Sequence, residues 1–321
     1  MHHQHRATLT LCVLLVSTAA FIATRRDSQG LAGPGERAPR QTVVLPSGAA
    51  AEVPQHPVRV LPASTGLLDW LEPLIDPARL AAIPNLSEEY SLVTRSTRAA
   101  QFLARPRFAE FESESLLVHV PDLVLVQAWN AAATRERLVR VGVPVVELPI
   151  PGTWEDLVAG TRLLGALLDE RALCATLLDE MEKRRAALEA RRAGRAPRVL
   201  VYSNYNSGGV GSVTGGGTTM DLFVRLAGAR NAAAGHGLAQ FSDADLELLF
   251  QLDPDVLVIS RDERGSSTTR DYIHATRALD ELRAVRDDHV VELDSRLMEA
   301  ASHYVLDAAE SLASELDRLG L

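Results

Sequence analysis

A segment of the sequence, residues 114–127, recurs in similar form as residues 247–260. In each copy a glutamate, Glu114 or Glu247, lies seven residues before a Pro-Asp pair, and branched apolar residues follow that pair. The pattern predicts a short helix that ends near the proline, then a strand that is buried on both faces, as in a parallel sheet. Two copies at this distance indicate two similar lobes, and the space between such lobes is the first place to look for a functional site.

The repeat extends to the neighbouring strands. Short stretches rich in valine at residues 57–60 and 197–201 precede the two copies, and Val-Val-Glu-Leu occurs at both 145–148 and 290–293. Each half therefore has at least three apolar strands separated by helical stretches, which is typical of an α/β lobe. We predict an α/β fold with an amino-terminal lobe and a carboxyl-terminal lobe that share this order of elements.

The stretch from Thr153 to residue 194 contains no proline and connects the two predicted lobes. Thr153 and the acidic residues after it suit a helix start, because a hydroxyl cap and negative charges meet the free amides there. Leucines recur at helical spacing: Leu157, Leu163, Leu164, Leu167, Leu168, Leu177, Leu178 and Leu188. We predict one long, stiff helix over 153–194. The alternative is two shorter helices broken around Asp169 and Glu170.

Composition excludes several classes of function. The chain has 321 residues, enough for two domains, and a net charge of −9, which argues against nucleic acid as a partner. Its two cysteines, Cys12 and Cys174, do not indicate a disulfide framework, and no Cys/His spacing is typical of a zinc site. We expect no metal-binding residues of the protein's own.

The amino terminus is typical of an exported protein. Residues 7–24 are uncharged and mostly apolar, so we predict a signal peptide or a membrane anchor over residues 1–26. Residues 27–52 are rich in Gly, Pro and Ala and are predicted to be a flexible linker. The folded part is expected to work outside the cytoplasmic membrane, whether the first segment is cleaved or retained.

Catalytic patterns are scarce. The sequence has no Gly-x-Ser-x-Gly nucleophile elbow, and its histidines form no pair at helical spacing. The glycine-rich stretch at residues 207–217, which includes Thr214, lacks the spacing of a dinucleotide fingerprint and the lysine of a phosphate loop. It is interpreted as a turn that lines a cleft or as a plain flexible loop. We predict no catalytic residues.

Several side chains follow predicted strand ends, where ligands of parallel α/β sheets gather. Trp129 follows one such end, and Tyr202 and Tyr205 follow another. Their rings are suited to a large planar or apolar ligand, although packing between the lobes would also explain them. Arg261 would neutralise an acidic ligand, although a solvated surface charge is the alternative. Glu114 and Glu247 place matching charges on the two lobes, either for a partner with two basic pockets or to favour helix N-termini.

Taken in order, these motifs resemble the periplasmic substrate-binding proteins of ABC importers for iron complexes and cobalamin, the class with a helical connection. The motifs cover about residues 55–320 and are Pro57–Val60, Ser64-Thr65, Glu114 with Pro121–Val124, Val141–Val145, the helix from Thr153, Thr214–Asp221, Leu226–Ala233, and Glu247 with Pro254–Leu257. No single motif is specific, but the series is.

The resemblance implies Rossmann-like lobes at 53–152 and 195–321, joined by one helix, with a ligand cleft between them. It implies an ABC permease in the inner membrane as partner, a monomer in the periplasm, no cofactor, and no enzymatic activity. Glu114 and Glu247 would occupy the positions that engage permease arginines. The ligand-binding residues are expected to be Ser64, Thr65, Trp129, Tyr202, Tyr205, Thr214 and Arg261.

The resemblance leaves an iron–siderophore, haem or cobalamin as the ligand. Haem would need an axial ligand, for which the candidates are Tyr90, Tyr202, Tyr205, His236 and His303. The sequence departs from the family in lacking a lipoprotein cysteine and in its arrangement of arginines between Tyr90 and Phe111. Two alternatives to transport stay open: a membrane-anchored α/β enzyme that uses the glycine-rich loop near Asp221, or a sensor or adaptor that keeps the binding-protein fold.

Overall fold

The two halves of the sequence form two α/β lobes, as predicted. A computed structural model describes residues 39–45, 48–191, 196–204 and 210–321. Pro39–Leu321 form one compact unit. No helix within the described ranges is both long enough and apolar enough to cross a membrane. The predicted signal peptide or anchor lies outside the described residues.

The amino-terminal lobe has short strands and short helices. They are β1 (Arg40–Val44), β2 (Ala50–Pro54), β3 (Val60–Pro62), α1 (Thr65–Leu71), β4 (Ile83–Pro84), α2 (Ser87–Tyr90), α3 (Ala99–Leu103), β5 (Arg107–Phe108), α4 (Ser113–Leu117), β6 (Leu123–Val126), α5 (Ala132–Arg140) and β7 (Val145–Glu147). The central sheet is parallel and has the order β3-β6-β7. All four residues of β6 are buried, as expected for a strand covered on both faces.

The predicted linker does not extend to residue 52. Residues within it form the antiparallel hairpin of β1 and β2. Val43 and Val53 of this hairpin are buried against the core of the lobe. Their burial gives these two strands the apolar contact that an isolated hairpin lacks.

The carboxyl-terminal lobe has a larger sheet. Its elements are β8 (Arg198–Ser203), β9 (Gly211–Thr214), α8 (Thr219–Leu226), β10 (Arg230–Asn231), α9 (Ala232–Gly235), β11 (Phe241–Ala244), α10 (Leu246–Leu252), β12 (Val256–Arg261), α11 (Thr268–Ala275), α12 (Arg283–Arg286), β13 (Val290–Asp294), α13 (Ser295–Met298) and α14 (Val305–Leu319). β8, β12 and β13 are parallel. β9 is antiparallel to β8, because the connection between them is too short for a crossover, and it is also antiparallel to β11.

The aspartates of the two Pro-Asp pairs make the same contacts in both lobes. Asp122 accepts a hydrogen bond from the backbone N–H of Arg59 (3.0 Å), and Asp255 accepts one from that of Arg198 (2.7 Å). Each aspartate also donates its own N–H to the carbonyl of the same arginine, at 3.0 Å and 2.8 Å. The aspartate of each repeat therefore links two neighbouring parallel strands in the same way, β3 with β6 in one lobe and β8 with β12 in the other.

Two helices, not one, connect the lobes: α6 (Trp154–Leu167) and α7 (Arg171–Ala190). Thr153 caps α6 in a capping box with Asp156, as the sequence predicts. The break falls at Asp169 and Glu170, the place given by the alternative prediction. There Asp169 adopts a left-handed backbone conformation (φ 57°), which ends the helix.

The second helix folds back along the first. A Cβ at Gly165 of α6 would lie 2.5 Å from the Cβ of Cys174 in α7, so only glycine permits this approach. On the lobe side, the guanidinium of Arg79 donates to the Leu168 carbonyl (2.7 Å) and to Glu170 (2.8 Å). The single helix predicted over 153–194 is therefore corrected to an antiparallel helical hairpin whose turn is held by the amino-terminal lobe.

The two helices of the hairpin contact different lobes. The Trp70 indole of α1 donates to the Thr161 hydroxyl of α6 at 3.0 Å. Arg184 of α7 donates to Asp307 (3.0 Å) and Glu310 (2.8 Å) of α14. The hairpin thus contacts the amino-terminal lobe through α6 and the carboxyl-terminal lobe through α7.

Candidate ligand-binding cleft

A cavity of about 1180 Å³ opens between the two lobes. Part of its wall consists of residues that directly follow strands: Ala63, Ser64 and Thr65 after β3, Gln127, Ala128 and Trp129 after β6, Asp262 after β12, and Ser295 and Arg296 after β13. The carboxyl ends of parallel strands therefore face one another across this space. That is the place where the repeat and the strand ends predict a ligand.

Four predicted ligand-binding residues lie in this wall: Ser64, Thr65, Trp129 and Arg261. Ser64 caps α1 by accepting the Leu67 N–H at 3.2 Å. Its hydroxyl also donates to the Gln127 side-chain oxygen at 3.0 Å. The structure therefore brings these predicted residues of both lobes to one cavity.

Two other predicted residues, Tyr202 and Thr214, are not part of the wall. Tyr202 is 1% exposed, and its ring lies where a Cβ at position 211 would be, so that it packs inside the carboxyl-terminal lobe. Burial raises the pKa of its phenol. Thr214 is buried and donates to the Met220 sulfur at 3.3 Å, which places it behind a residue of the wall. Tyr205 lies outside the described residues.

Three large aromatic side chains in the wall are exposed: Tyr90 by 49%, Trp129 by 61% and Phe241 by 63%. Tyr90 and Trp129 belong to the amino-terminal lobe, and Phe241 belongs to the other lobe. Their faces are not covered by the protein core, so they are available to a ligand. Sequence reasoning missed Phe241, because it lies beside the cleft only through the pairing of β11 with β9.

Trp129 is carried by a rigid turn. The backbone N–H of Gln127 donates to the Asn130 side chain (2.8 Å), and the Asn130 N–H donates back to the Gln127 carbonyl (2.9 Å). Because Gln127 is also bound by Ser64, the turn is fixed from both sides. The indole is therefore held in place before a ligand binds, and binding does not have to order a loop.

Phe241 is carried by the glycine-rich stretch and the strand that pairs with it. Gln240 has φ 56°, and it exchanges backbone hydrogen bonds with Gly215 (2.7 Å) and Gly216 (3.0 Å). A Cβ at Gly215 would lie 2.4 Å from the Leu238 carbonyl oxygen, so the chains approach only because no side chain is present. Residues 210–217, the described part of the stretch, fit a turn that lines the cleft. Close backbone packing accounts for glycine here, and a phosphate-binding role is not needed to explain it.

Asp69 is a buried carboxyl group in the wall, 3% exposed. It accepts hydrogen bonds from the Ser91 hydroxyl and from the Val93 N–H (3.1 Å). Burial raises the pKa of Asp69 to about 7, against the effect of these hydrogen bonds. This part of the wall therefore changes charge near neutral pH.

The arginines next to the cleft are mostly occupied by the protein. Arg95 of the amino-terminal lobe pairs with Asp294 of the other lobe at 2.9 Å, and Arg98 pairs with Glu72 at 3.1 Å. Arg296 in the wall also pairs with Asp294, at 2.9 Å. Burial favours a higher pKa for Asp294, but the hydrogen bonds and charge of Arg296 prevail and lower it. Among the described residues, Arg261 is the one arginine of the wall without an ion pair, so a ligand with several negative charges would find one uncommitted guanidinium there.

Of the side chains proposed as axial haem ligands, Tyr90 lies in the wall. His303 is buried and its Nδ1 atom has no hydrogen-bond partner. Burial, with a smaller effect of Arg184, lowers the pKa of His303 to about 3. Within the ranges that the structure describes, no three His, Cys, Asp or Glu side chains converge as a metal site.

Glu114 and Glu247 are exposed and lie in the first turns of α4 and α10. The Gln251 amide donates to the Glu247 carboxylate at 3.2 Å. The two glutamates occupy equivalent places in the two lobes, outside the cavity wall. Their position suits a contact with a partner more than a contact with the ligand.

Two α/β lobes with a ligand-sized cleft at facing strand ends define a bilobal binding protein. Residues 65–297 match the family described as periplasmic binding protein, and the chain belongs to that family. No curated protein sequence matches the chain.

Three solved structures show the same fold. The periplasmic haem-binding protein BhuT in complex with two haems has 25% identity and a TM-score of 0.68, over 81% of this chain and 98% of that one. The ABC-type Fe³⁺-hydroxamate transport system protein of Saccharomonospora viridis has 22% identity and a TM-score of 0.70, over 86% and 98%. The molybdate periplasmic binding protein MolA of Haemophilus influenzae has 17% identity and a TM-score of 0.71, over 87% and 91%.

Proposed function

We propose that this protein is the substrate-binding component of an ABC import system. It captures a metal chelate, namely an iron–siderophore, haem or cobalamin, in the periplasm and delivers it to a permease in the inner membrane. It works as a monomer, and residues 7–24 direct its export. The observation that carries the proposal is the cavity between the lobes, with exposed aromatic rings from both of them. The similarity to a haem-binding protein and to a protein of an Fe³⁺-hydroxamate transport system supports it.

The size and lining of the cavity favour a chelate over a bare ion. A volume of about 1180 Å³ exceeds the common range of small-molecule pockets, roughly 300–1,000 Å³. Aromatic faces suit extended apolar or planar surfaces, not a small hydrated oxyanion. Arg296 in the wall is paired with Asp294, and Arg261 is the one wall arginine of the described residues without an ion pair, so the cavity offers little compensation for a multiply charged anion.

Titration of residues 39–321 with a ferric hydroxamate, haemin and cyanocobalamin tests the capture of a chelate. We expect one of the three to bind with a change in visible absorption and with quenching of tryptophan fluorescence, because Trp129 is exposed in the cavity wall. Circular dichroism establishes that the protein is folded. A folded protein that binds none of the three would refute the capture of these chelates.

We further propose that Glu114 and Glu247 bind arginines of the permease. Reversal of both to arginine is expected to abolish stimulation of the permease ATPase and to leave ligand affinity unchanged, because both lie outside the cavity wall. Two simultaneous charge contacts bind far better than one, so the double variant should have the larger effect.

The matched control reverses Glu180 and Glu281, two other exposed glutamates, one on α7 and one in the carboxyl-terminal lobe. It makes the same change in net charge and should keep full stimulation. Equal losses in both double variants would indicate a general charge effect. If the Glu114 and Glu247 variant stimulates the permease ATPase fully, the two glutamates do not dock, and their role is to stabilise helix N-termini.

A further inference from the structure

The helix that carries Glu114 is followed by two exposed valines. Val118 is 74% exposed, the highest value among the large hydrophobic residues of the described ranges, and Val120 is 66% exposed. Val120 also has φ 47°, a left-handed conformation that is unfavourable for a β-branched residue. The presence of valine at positions 118 and 120 is therefore explained neither by burial in the protein nor by the backbone conformation.

The other lobe supplies an internal comparison. At the positions that correspond to Val118 and Val120, the sequence has Gln251 and Asp253. Gln251 donates to Glu247, and Asp253 pairs with Arg283 at 3.0 Å. Asp253 has φ 32°, and aspartate tolerates this left-handed region better than valine does.

The two places are equivalent in the fold as well as in the sequence. Val120 and Asp253 each directly precede a Pro-Asp pair, and the aspartate of that pair is bound to the backbone at the start of β3 or β8. The fold therefore accepts polar residues here, and it prefers them at the left-handed position. The exposed valines of the amino-terminal lobe, Val118 and Val120, are therefore explained if a partner covers them.

The surface around the valines indicates the chemistry of that partner. Glu114 is exposed, and its carboxylate has no ion pair or side-chain hydrogen bond within the part of the chain that the structure describes. Residues four apart on a helix lie on one face, so Glu114 and Val118 are neighbours there. A complementary surface would therefore place a basic group beside apolar side chains.

We infer that Glu114, Val118 and Val120 form a mixed acidic and apolar docking surface that buries its valines against the permease. The corresponding surface of the other lobe, Glu247, Gln251 and Asp253, makes polar contacts only. The two docking surfaces are thus not interchangeable. This inference rests on the proposed docking of Glu114 and deepens it.

The test replaces the valines by the residues of the other lobe, Val118→Gln with Val120→Asp. We expect the concentration of protein needed for half-maximal binding to the permease in nanodiscs to rise at least tenfold, because apolar area is no longer buried. The melting temperature should be unchanged or higher, since aspartate relieves the left-handed valine. Val44→Gln is the matched control, because Val44 is 70% exposed on β1, and it should bind like the unchanged protein.

Glu114→Arg, measured beside it, separates two kinds of failure. If that variant loses binding while the valine variant keeps full affinity, the apolar contact is refuted and the docking of Glu114 stands. Should both keep full affinity, the proposed docking itself fails. If the unchanged protein dimerises or binds phospholipid vesicles and only the valine variant does not, a second copy or a membrane covers the valines, and the inference is overturned.

Discussion

Asp69→Asn is expected to stabilise the protein more at pH 8 than at pH 5. The difference in the free energy of unfolding between the variant and the unchanged protein should be roughly 3 kcal/mol larger at pH 8. The pKa of Asp69 is raised by burial from 3.8 to about 7. Between these values the folded protein retains a proton that the unfolded chain has lost, so folding stability falls as the pH rises through this window. Asparagine keeps an oxygen that accepts from Ser91 and Val93 but has no charge to bury.

Urea unfolding of both proteins at pH 5 and pH 8 measures this difference. Asp294→Asn is the control with the opposite sign, because the pKa of Asp294 is lowered. Its effect on stability changes only at pH values below the ordinary range of aspartate, so its penalty should be the same at pH 5 and pH 8. A constant difference for Asp69→Asn would mean that this carboxyl group titrates normally.

Trp129→Ala and Phe241→Ala are each expected to weaken binding of the chelate by about thirtyfold, or roughly 2 kcal/mol. Each ring is more than half exposed in the wall of the cavity, Trp129 on a hydrogen-bonded turn and Phe241 at the start of β11. Because the two residues belong to opposite lobes, their effects should add when both are replaced. The measurement is a visible-absorption titration, which does not depend on tryptophan emission.

Phe250→Ala is the control for the aromatic residues. Phe250 is a partly exposed phenylalanine on α10, outside the cavity wall, and its removal should leave affinity unchanged. Trp129→Phe should retain part of the affinity, since a ring remains. If Trp129→Ala alters the fluorescence change but not the affinity, the indole senses the bound ligand without contributing to its binding.

Much of the fold was predictable because its determinants are local in the sequence. The Pro-Asp pairs and the valine-rich strands identify two parallel cores, and the same aspartate contacts were found in both lobes. The break in the connecting helices was less predictable. It depends on a left-handed Asp169 and on Arg79, which reaches the turn from almost a hundred residues away in the sequence.

The site was predictable where a side chain directly follows a strand, as Trp129 does. Tyr202 also belongs to a strand end, but the chain turns back into β9 and position 211 lies over its ring. The sequence does not show this reversal, so the inward orientation of the tyrosine could not be predicted from it. Phe241 was missed for the same reason, since its place in the wall depends on the pairing of β11.

The last helix of the chain has a consequence for the order of folding. α14 (Val305–Leu319) buries Leu306, Leu312 and Leu316, and it packs against α7, α8 and β13. The core of the carboxyl-terminal lobe is therefore complete only once α14 has packed against these elements. Removal of the final fifteen or so residues would leave a lobe whose sheet is complete but whose apolar face is open to water. Such a product is expected to aggregate instead of forming a shorter binding protein.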